Sequence, residues 1–346
     1  MAEQTNTMAR LPAAEARTLA VSALLGAGAL AEVAELVAAH VVDAELAGHP
    51  SHGLRQIPLY CGNAGAPGND LTVTPEIIAA TPALTTVDAR EGLGHPALAV
   101  AVDAAAAAAR RVGIAASAVV RCGHAGRAGA WVERGAGQGS ITIVLLGGTT
   151  PPFAMAATPG AAPALHTNPI AIAAPATGAP LLLDIATSVV AAGRVPVALA
   201  RGLTLPEGSI ATVEGTRSGD PAEIDRGGSL LPVGGHKGFG LSALIEALSV
   251  SLTGADRAGR APHEGALAIC IDAGAFRPST EVAESLDALR MRLRGSSGPD
   301  APVLAPGDPE TSHRFTAKQM VDVEHSLVAE LSALARRMTP REDARA

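Results

Sequence analysis

The stretch GIAASAVVRCGHAGRAGAWVERGAGQGSITIVLLG, residues 113–147, carries the pattern that decides the fold. Its first eight residues are small or apolar, which is typical of a buried strand, and SITIVLLG at 140–147 repeats that character. Between the two, a glycine-rich turn leads into a helix predicted from about residue 126 to 136. Strand, helix and strand in succession indicate an α/β layer structure.

The same alternation continues on both sides of this stretch. PALTTVDA at 82–89 is predicted as a strand, and residues 95–112 as a helix that ends at Gly113. Further along, KGFGLSALIEALSVSLTG at 237–254 is predicted as a helix and ALAICIDA at 266–273 as a strand. We therefore expect the middle of the chain to form one α/β unit.

The two ends of the chain are predicted to be helical. Residues 13–47 are rich in alanine and leucine with helical apolar spacing, and residues 316–337 read as an amphipathic helix. A cluster of turn residues near position 75 suggests a boundary between the first helices and the middle of the chain. The predicted division is a helical domain of residues 1–75 and 300–346 and an α/β domain of residues 76–299.

The composition argues against several classes of protein. The chain has 346 residues and a net charge of −7, without the basic block that nucleic-acid binding favours. No uncharged apolar run reaches the roughly 18 residues of a membrane span, and no signal peptide is expected. The three cysteines are far apart, which fits a reducing compartment. We expect a cytoplasmic protein without a metal, membrane or nucleic-acid partner.

One short loop, GHPSHGLRQIPLY at 48–60, concentrates polar side chains. A histidine such as His52 titrates near neutral pH and can carry a proton. An arginine such as Arg55 can hold a carboxylate through two parallel hydrogen bonds. Together they would suit a small anionic substrate. The alternative is a polar turn in which His49 and His52 only cap the neighbouring helix.

A second polar cluster, RCGHAGRAG at 121–129, follows the first strand of the 113–147 stretch. His124 lies between Gly123 and Gly126 at a strand-to-helix turn, where glycines let a ligand approach the backbone and the helix N-terminus attracts negative charge. Its G-x-x-G-x-x-G spacing is not the G-x-G-x-x-G dinucleotide fingerprint, which occurs nowhere in the chain. His124 is therefore either a site residue or an ordinary turn residue.

Two further motifs suit a nucleotide. LLPVGGHKGFGL at 230–241 surrounds His236 and Lys237 with glycines at a predicted helix start, which can cradle a phosphate. It is not a Walker loop, because the lysine precedes its glycine and no serine or threonine follows. Asp184, in LLLDIATS at 181–188, could accept a ribose hydroxyl. The alternatives are a flexible helix start with a solvated lysine and a carboxylate that caps the next turn.

These motifs, in this order, resemble the type-2 malate/L-lactate dehydrogenase family, which includes reductases acting on ureidoglycolate, diketogulonate, sulfolactate and cyclic imino acids. The resemblance runs over nearly the whole chain, and seven motifs in order form a specific signal. The motifs are SHG at 51–53, GHAGRAG at 123–129, TNPIAIAAP at 167–175, LDIATS at 183–188, GDP at 219–221, LLPVGGHKGFGL at 230–241 and PGDPE at 306–310.

The resemblance implies a mixed-sheet nicotinamide-binding domain that is not a Rossmann fold, packed on a helical domain formed by both chain ends. It also implies a homodimer, NAD or NADP as the cofactor, and a small oxo or imino acid as the substrate. By this resemblance, His124 matches the catalytic acid/base and His52 the neighbouring active-site histidine. The residues matched to cofactor contacts are Asp184, Ile185, Ala186, His236, Lys237, Gly307 and Asp308. The residues expected at the substrate are Ser51, Arg55, Gln56 and Gly148.

One position departs from the family pattern. The family has an arginine four residues after the histidine of SHG, where it binds the substrate carboxylate, whereas this chain has Gln56 there and Arg55 one place earlier. The predicted function is an NAD(P)-dependent oxidoreductase that transfers a hydride between nicotinamide and a small 2-hydroxy or 2-oxo acid. The alternatives are an imine reductase acting on a cyclic or N-alkyl imino acid, and a non-catalytic binding protein of the same fold.

Overall fold

The structure is a computed structural model that describes residues 8–148, 153–257, 264–298 and 301–338. In chain order, its strands are β1 (Met8–Pro12), β2 (Glu76–Ala80), β3 (Leu84–Asp88), β4 (Ile114–Cys122), β5 (Ser140–Gly148), β6 (Met155–Ala156), β7 (Pro163–Leu165), β8 (Ile170–Ala174), β9 (Leu181–Ile185), β10 (Ile210–Ala211), β11 (Arg217–Ser218), β12 (Ser229–Leu230), β13 (Glu264–Asp272) and β14 (Met320–Glu324). Its α-helices are α1 (Ala13–Gly26), α2 (Ala31–Leu46), α3 (Gln56–Gly62), α4 (Gly94–Val112), α5 (Ala128–Ala136), α6 (Arg194–Ala200), α7 (His236–Glu246), α8 (Ser279–Arg294), α9 (Asp308–Ala317) and α10 (His325–Ala335).

The largest sheet has seven strands in the order β2-β3-β4-β13-β5-β8-β9. The pair β3 and β4 is parallel, and the other neighbouring pairs are antiparallel. Strands β4 and β5, which come from the 113–147 stretch, are separated by β13 from much later in the chain. This is a mixed sheet without a Rossmann strand order, so the predicted fold class is confirmed.

Both faces of this sheet are covered. Val144 and Leu146 of β5 belong to the buried cluster that holds α4 and α5, while Leu145 packs with Ile245 of α7 on the opposite face. Successive side chains of a strand point to opposite faces. A strand that is covered on both sides therefore needs apolar or small residues at nearly every position, which is the character of SITIVLLG.

The two chain ends share one hydrophobic core. Side chains of α1 and α2 pack with Leu331 and Leu334 of α10, and β1 pairs antiparallel with β14. The helical region built from both ends is thereby confirmed. The domain limits at 1–75, 300–346 and 76–299 stay predictions. The middle range also contains a second sheet, in the order β11-β10-β12-β6-β7, with an apolar cluster of its own.

Residues 316–337 do not form the single helix that their apolar spacing predicts. Helix α9 ends at Ala317, and Lys318 and Gln319 adopt φ angles of 51° and 61° before the chain continues as β14. Two successive residues in the left-handed region cannot belong to a right-handed helix. The antiparallel pairing of β14 with β1 supplies the backbone hydrogen bonds that the helix would have made.

Cys61, Cys122 and Cys270 are buried and form no disulfide. Across the four described ranges, no helix has both the length and the apolar character that crossing a membrane requires.

Candidate active site

A cavity of about 1030 Å³ opens between the helical region and the seven-stranded sheet. Its walls come from α3 and the loop before it, from the turn after β4, and from the ends of β5, β9 and β13. The predicted site residues that line it are Ser51, His52, Gln56, His124, Gly148, Asp184, Ile185 and Ala186. The predicted site residues outside its lining are Arg55, His236, Lys237, Gly307 and Asp308.

Glycines allow the turn that carries His124. A Cβ added at Gly123 would lie 1.6 Å from the carbonyl oxygen of Gly68. At Gly126, where φ is +69°, an added Cβ would lie 2.2 Å from Nε2 of His40. Neither position can accept a larger residue without moving its neighbours. Because both are glycine, the chain passes close to these groups and presents His124 to the cavity.

The only tyrosine of the chain holds His124 by a hydrogen bond. The hydroxyl of Tyr60 lies 2.6 Å from Nδ1 of His124. Burial, reinforced by the charge of Glu264, raises the pKa of the Tyr60 phenol well above its usual value, so the hydroxyl keeps its proton. When Tyr60 donates to Nδ1, the proton of the neutral imidazole sits on Nε2. The described residues form no hydrogen bond to Nε2, which leaves this atom for a ligand.

The ring of His52 lies against the ring of His124. Their centroids are 5.8 Å apart and their planes differ by 18°. Burial lowers the pKa of His124 to about 4. Burial together with the neighbouring His124 lowers the pKa of His52 to about 3. Both rings are therefore neutral at neutral pH, and a neutral imidazole is the form that can accept a proton from a hydroxy acid.

Polar side chains brace the loop that leads into α3. The Oγ of Ser51 lies 3.1 Å from Nδ1 of His52, and Nε2 of Gln56 donates a hydrogen bond of 2.7 Å to the backbone oxygen of Ser51. Arg55 turns the other way, because its guanidinium donates to the carboxylate of Glu324 at 2.8 Å. Arg55 thus ties the loop to the end of β14, and Gln56 faces the cavity.

The carboxylate of Asp184 is tied to the start of α5. Its Oδ2 accepts a hydrogen bond of 2.8 Å from the backbone N–H of Gly129. Burial raises the pKa of Asp184, although the nearby Arg127 opposes that rise. Arg127 is itself 1% exposed and forms ion pairs with Asp43 and Glu133. Asp184 therefore caps the N-terminus of α5 and lines the cavity at the same time.

The glycine-rich turn before α7 adjoins the cavity. Val233 lines the cavity, whereas His236 and Lys237 are exposed outside its lining. Gly234 and Gly235 have φ angles of 61° and 62°, which glycine adopts without steric cost. The first N–H groups of α7, which follow this turn, lack helical partners.

The turn at Gly307 and Asp308 supports β9 from outside the cavity. At Gly307, where φ is +90°, an added Cβ would lie 2.9 Å from the carbonyl oxygen of Pro180. Asp308 is paired with Arg294 of α8. This turn therefore packs against the residues that lead into the strand of Asp184.

The polar residues of the cavity that had no role assigned from the sequence include Tyr60, His166, Arg194 and Glu264. Tyr60 and His166 stand close to the recognised motifs SHG and TNPIAIAAP, and that proximity could have drawn attention to them. No local signal marks Glu264, which reaches the cavity because β13 lies between β4 and β5. Within the part of the chain that the structure describes, no cluster of three potential metal ligands occurs.

Comparison with known proteins gives matches along nearly the whole chain. The family model for malate/L-lactate dehydrogenase matches residues 11–332. The (2R)-3-sulfolactate dehydrogenase (NADP(+)) of Chromohalobacter salexigens is 35% identical over 93% of this chain and 96% of its own. The Δ1-pyrroline-2-carboxylate/Δ1-piperideine-2-carboxylate reductase of Pseudomonas putida is 35% identical over 73% of this chain and 74% of its own. The solved malate dehydrogenase of Pyrococcus horikoshii has a TM-score of 0.85 at 27% identity and covers 96% of both chains.

The sequence motifs, the fold and the similarity to known proteins all indicate the same family. The motif residues His52, His124 and Asp184 meet in one cavity, the sheet is mixed, and the matched region includes strands and helices from both chain ends. The chain belongs to the malate/L-lactate dehydrogenase family.

Proposed function

We propose that this protein is an NAD(P)-dependent oxidoreductase that transfers a hydride between nicotinamide and a small 2-hydroxy or 2-oxo acid. The main supporting observation is the neutral, stacked pair of His52 and His124 in the cavity, with Tyr60 bonded to Nδ1 of His124. The related proteins named above include hydroxy-acid dehydrogenases and an imino acid reductase, so both substrate classes belong in the first activity screen.

The cavity and the turn before α7 fit a nicotinamide dinucleotide. Small-ligand sites usually measure about 300–1,000 Å³, so about 1030 Å³ gives room for the nicotinamide end of the cofactor beside a small acid. Asp184, Ile185 and Ala186 would contact the cofactor. The free N–H groups at the start of α7, together with Lys237, would receive phosphate. The bound cofactor supplies or takes up the hydride.

His124 would hold the proton that balances the hydride. An anionic 2-oxo acid beside His124 favours the protonated ring, which then donates its Nε2 proton to the developing alkoxide. In the opposite direction, the neutral ring accepts the proton of the hydroxyl group. Tyr60 can serve both forms, because a phenol accepts from Nδ1–H and also donates to an unprotonated Nδ1. His52 would orient the substrate against His124.

We also propose a homodimer, which an apolar stripe along α7 and the chain just after it supports. Leu241, Leu244, Leu248 and Leu252 follow helical spacing and are between 37% and 69% exposed. An apolar surface of this kind is stabilised when another protein surface covers it. Sedimentation of the wild type should give twice the monomer mass, and Leu244→Glu should shift it towards the monomer. A wild type that sediments as a monomer at micromolar concentration would contradict the dimer.

The location that we propose is the cytoplasm. The support is chemical: Cys61, Cys122 and Cys270 are all unpaired, and unpaired cysteines persist most readily in a reducing compartment. Fractionation of the source cells, followed by detection of this chain, tests the proposal.

A substrate screen tests the function. The purified protein is assayed with NADH and with NADPH against about ten 2-oxo acids and cyclic imino acids, and in the oxidative direction against the corresponding products. Consumption of reduced cofactor that depends on the second substrate supports the proposal. Cofactor binding without turnover of any member of the panel would favour the non-catalytic alternative.

A further inference from the structure

Glu264 is a carboxylate that the fold brings to the part of the cavity where Tyr60 and His124 lie. It begins β13, where it pairs with Cys122 at the end of β4 and with Gly148 at the end of β5. Cys122 is only two residues before His124. The pairing of β13 with β5 has no register shift, so Glu264 lies on the same face of the sheet as Ala266. That face carries α4 and α5.

The side chain of Glu264 has no protein partner among the described residues. It lines the cavity, and none of the hydrogen bonds or ion pairs of the described residues reaches its carboxylate. Burial raises the pKa of Glu264 to about 7, and no cationic side chain offsets that rise. Its charge also raises the pKa of Tyr60, so the carboxylate acts on the hydroxyl that holds His124. An unpaired buried carboxylate is costly, and a ligand that carries an N–H donor would relieve that cost.

Glu264 has no cationic partner among the described residues. The guanidinium of Arg55 is bound to Glu324, and Gln56 is neutral. Arg127 also lines the cavity; its Nη2 is paired with Asp43 and with a glutamate of α5, and its buried Nε and Nη1 have no hydrogen-bond partner among the described residues. A substrate whose only charge is negative would be repelled by the ionised Glu264, because no cation is bound to that carboxylate.

We propose that Glu264 determines substrate specificity by pairing with the N–H of a protonated imine, so that the preferred substrate is a cyclic or N-alkyl 2-imino acid rather than a 2-oxo acid. The inference rests on the proposed oxidoreductase function and names its substrate class. The ionised carboxylate accepts the N–H hydrogen bond and neutralises the iminium charge.

The reaction balances without a further reactant. The imine carbon gains the hydride, and a new C–H bond forms. The electron pair of the C=N double bond moves onto nitrogen, which becomes an uncharged secondary amine, and the cofactor that would supply the hydride is the only reductant required, taking up the positive charge as it is oxidised. The amine then takes a proton from His124 or from solvent before release. Throughout these steps, Glu264 keeps its hydrogen bond to the N–H.

An imino acid also carries a carboxylate, and Arg194 is placed to receive it. Arg194 begins α6, lines the cavity and is exposed. None of the ion pairs of the described residues involves its guanidinium. A zwitterionic substrate would thus have one charged partner for each of its groups, with Glu264 for the nitrogen and Arg194 for the carboxylate.

The test compares Glu264→Gln with wild type on both substrate classes. Wild type should reduce a five- or six-membered cyclic 2-imino acid with a higher kcat/KM than pyruvate or 2-oxobutyrate. Glu264→Gln should lower kcat/KM for the imine by about ten- to a hundredfold, the cost of losing a charged hydrogen bond. Its kcat/KM for the oxo acids should stay equal or rise. Glu207→Gln, which changes an exposed glutamate of a surface turn, is the matched control and should leave both values unchanged.

A binding measurement gives a readout that does not depend on turnover. A saturated cyclic amino acid, which carries the secondary amine of the product, should bind wild type at least ten times more tightly than Glu264→Gln in calorimetry.

If Glu264→Gln lowers kcat/KM equally for imines and oxo acids, the residue has a structural role and the inference is overturned. The proposed oxidoreductase function would still stand. A wild type that prefers oxo acids would overturn the inference in the same way. No turnover with either substrate class and either cofactor would remove the proposed function and this inference together.

Discussion

The hydroxyl of Tyr60 and Nδ1 of His124 lie 2.6 Å apart, although 64 residues separate them in the chain. One comes from α3 in the helical region and the other from the turn after β4. Their hydrogen bond therefore joins the helical region to the sheet at the cavity. The orientation of the His124 ring depends on packing between these two parts of the molecule.

Removing the imidazole of His124 should abolish most of the turnover. With a 2-oxo acid as substrate, we expect His124→Ala to lower kcat by about 10² to 10⁴, the usual effect of a positioned proton-transfer group, while the cofactor Kd stays near wild type. Steady-state kinetics and a fluorescence titration of reduced cofactor measure the two quantities. A variant that keeps more than about half of the wild-type kcat would contradict the acid/base role.

Loss of the Tyr60 hydroxyl should have a smaller effect. Tyr60→Phe keeps the ring packing but removes one hydrogen bond, worth about 0.5–1.5 kcal/mol, so kcat should fall by roughly two- to tenfold. The pH dependence of kcat should shift as well, because Nδ1 of His124 then lacks its partner. A pH profile identical to that of wild type, with unchanged kcat, would show that the hydrogen bond does not control His124.

The charge of Lys237 should matter for cofactor binding. Lys237→Ala should raise the cofactor Kd and should change kcat at saturating cofactor much less, since a phosphate contact is equal in the ground and transition states. Lys237→Arg keeps the charge and serves as the matched control. If Lys237→Ala binds the cofactor as tightly as wild type does, the side chain of Lys237 has no phosphate role.

Arg55 and Gln56 should respond differently when oxo acids are the substrates. Arg55→Ala should change kcat/KM little, because the guanidinium is bound to Glu324 and lies outside the cavity lining. Gln56→Arg should raise kcat/KM for pyruvate or oxaloacetate by about ten- to a hundredfold, since it adds a charged partner for the carboxylate. A large loss in Arg55→Ala with no gain in Gln56→Arg would instead make Arg55 the carboxylate ligand.

The ring of His95 should make the protein sensitive to acid. His95 is fully buried, its ring nitrogens have no hydrogen-bond partner among the described residues, and burial lowers its pKa well below the usual value. In the unfolded chain it would bind a proton below a pH of about 6.5. The unfolded state therefore takes up more protons than the folded state below that pH. The contribution of His95 to the free energy of unfolding is complete above that pH and is lost as the pH falls.

The measurement is urea unfolding of wild type and His95→Leu at pH 8, 6.5 and 5. The variant should lose less stability on acidification, by up to about 1.4 kcal/mol per pH unit below 6.5. His236→Gln, which changes an exposed histidine, should follow the wild-type curve. If the free energy of unfolding depends on pH in the same way for wild type and His95→Leu, the pKa of His95 is the same in the folded and unfolded states.

The amino-acid sequence by itself determined the layer architecture and the order of the motifs. Apolar strands and helical spacing are local patterns of a few residues, so 113–147 and the helix at 95–112 could be predicted from their own side chains. The turn residues around His124 could be recognised for the same reason. The break at Lys318 could not, because the pairing of β14 with β1 at the other end of the chain replaces the helix there.

Only the tertiary structure decided which polar groups meet. Arg55 is bound to Glu324, 269 residues away, and Glu264 reaches the cavity because β13 is inserted between β4 and β5. Contacts of this kind join residues that share no local pattern. They depend on the summed packing of whole elements, and a motif cannot reveal them until the sheet order is known. The position of each motif in the chain is therefore local information, whereas the charge balance of the cavity is a property of the assembled fold.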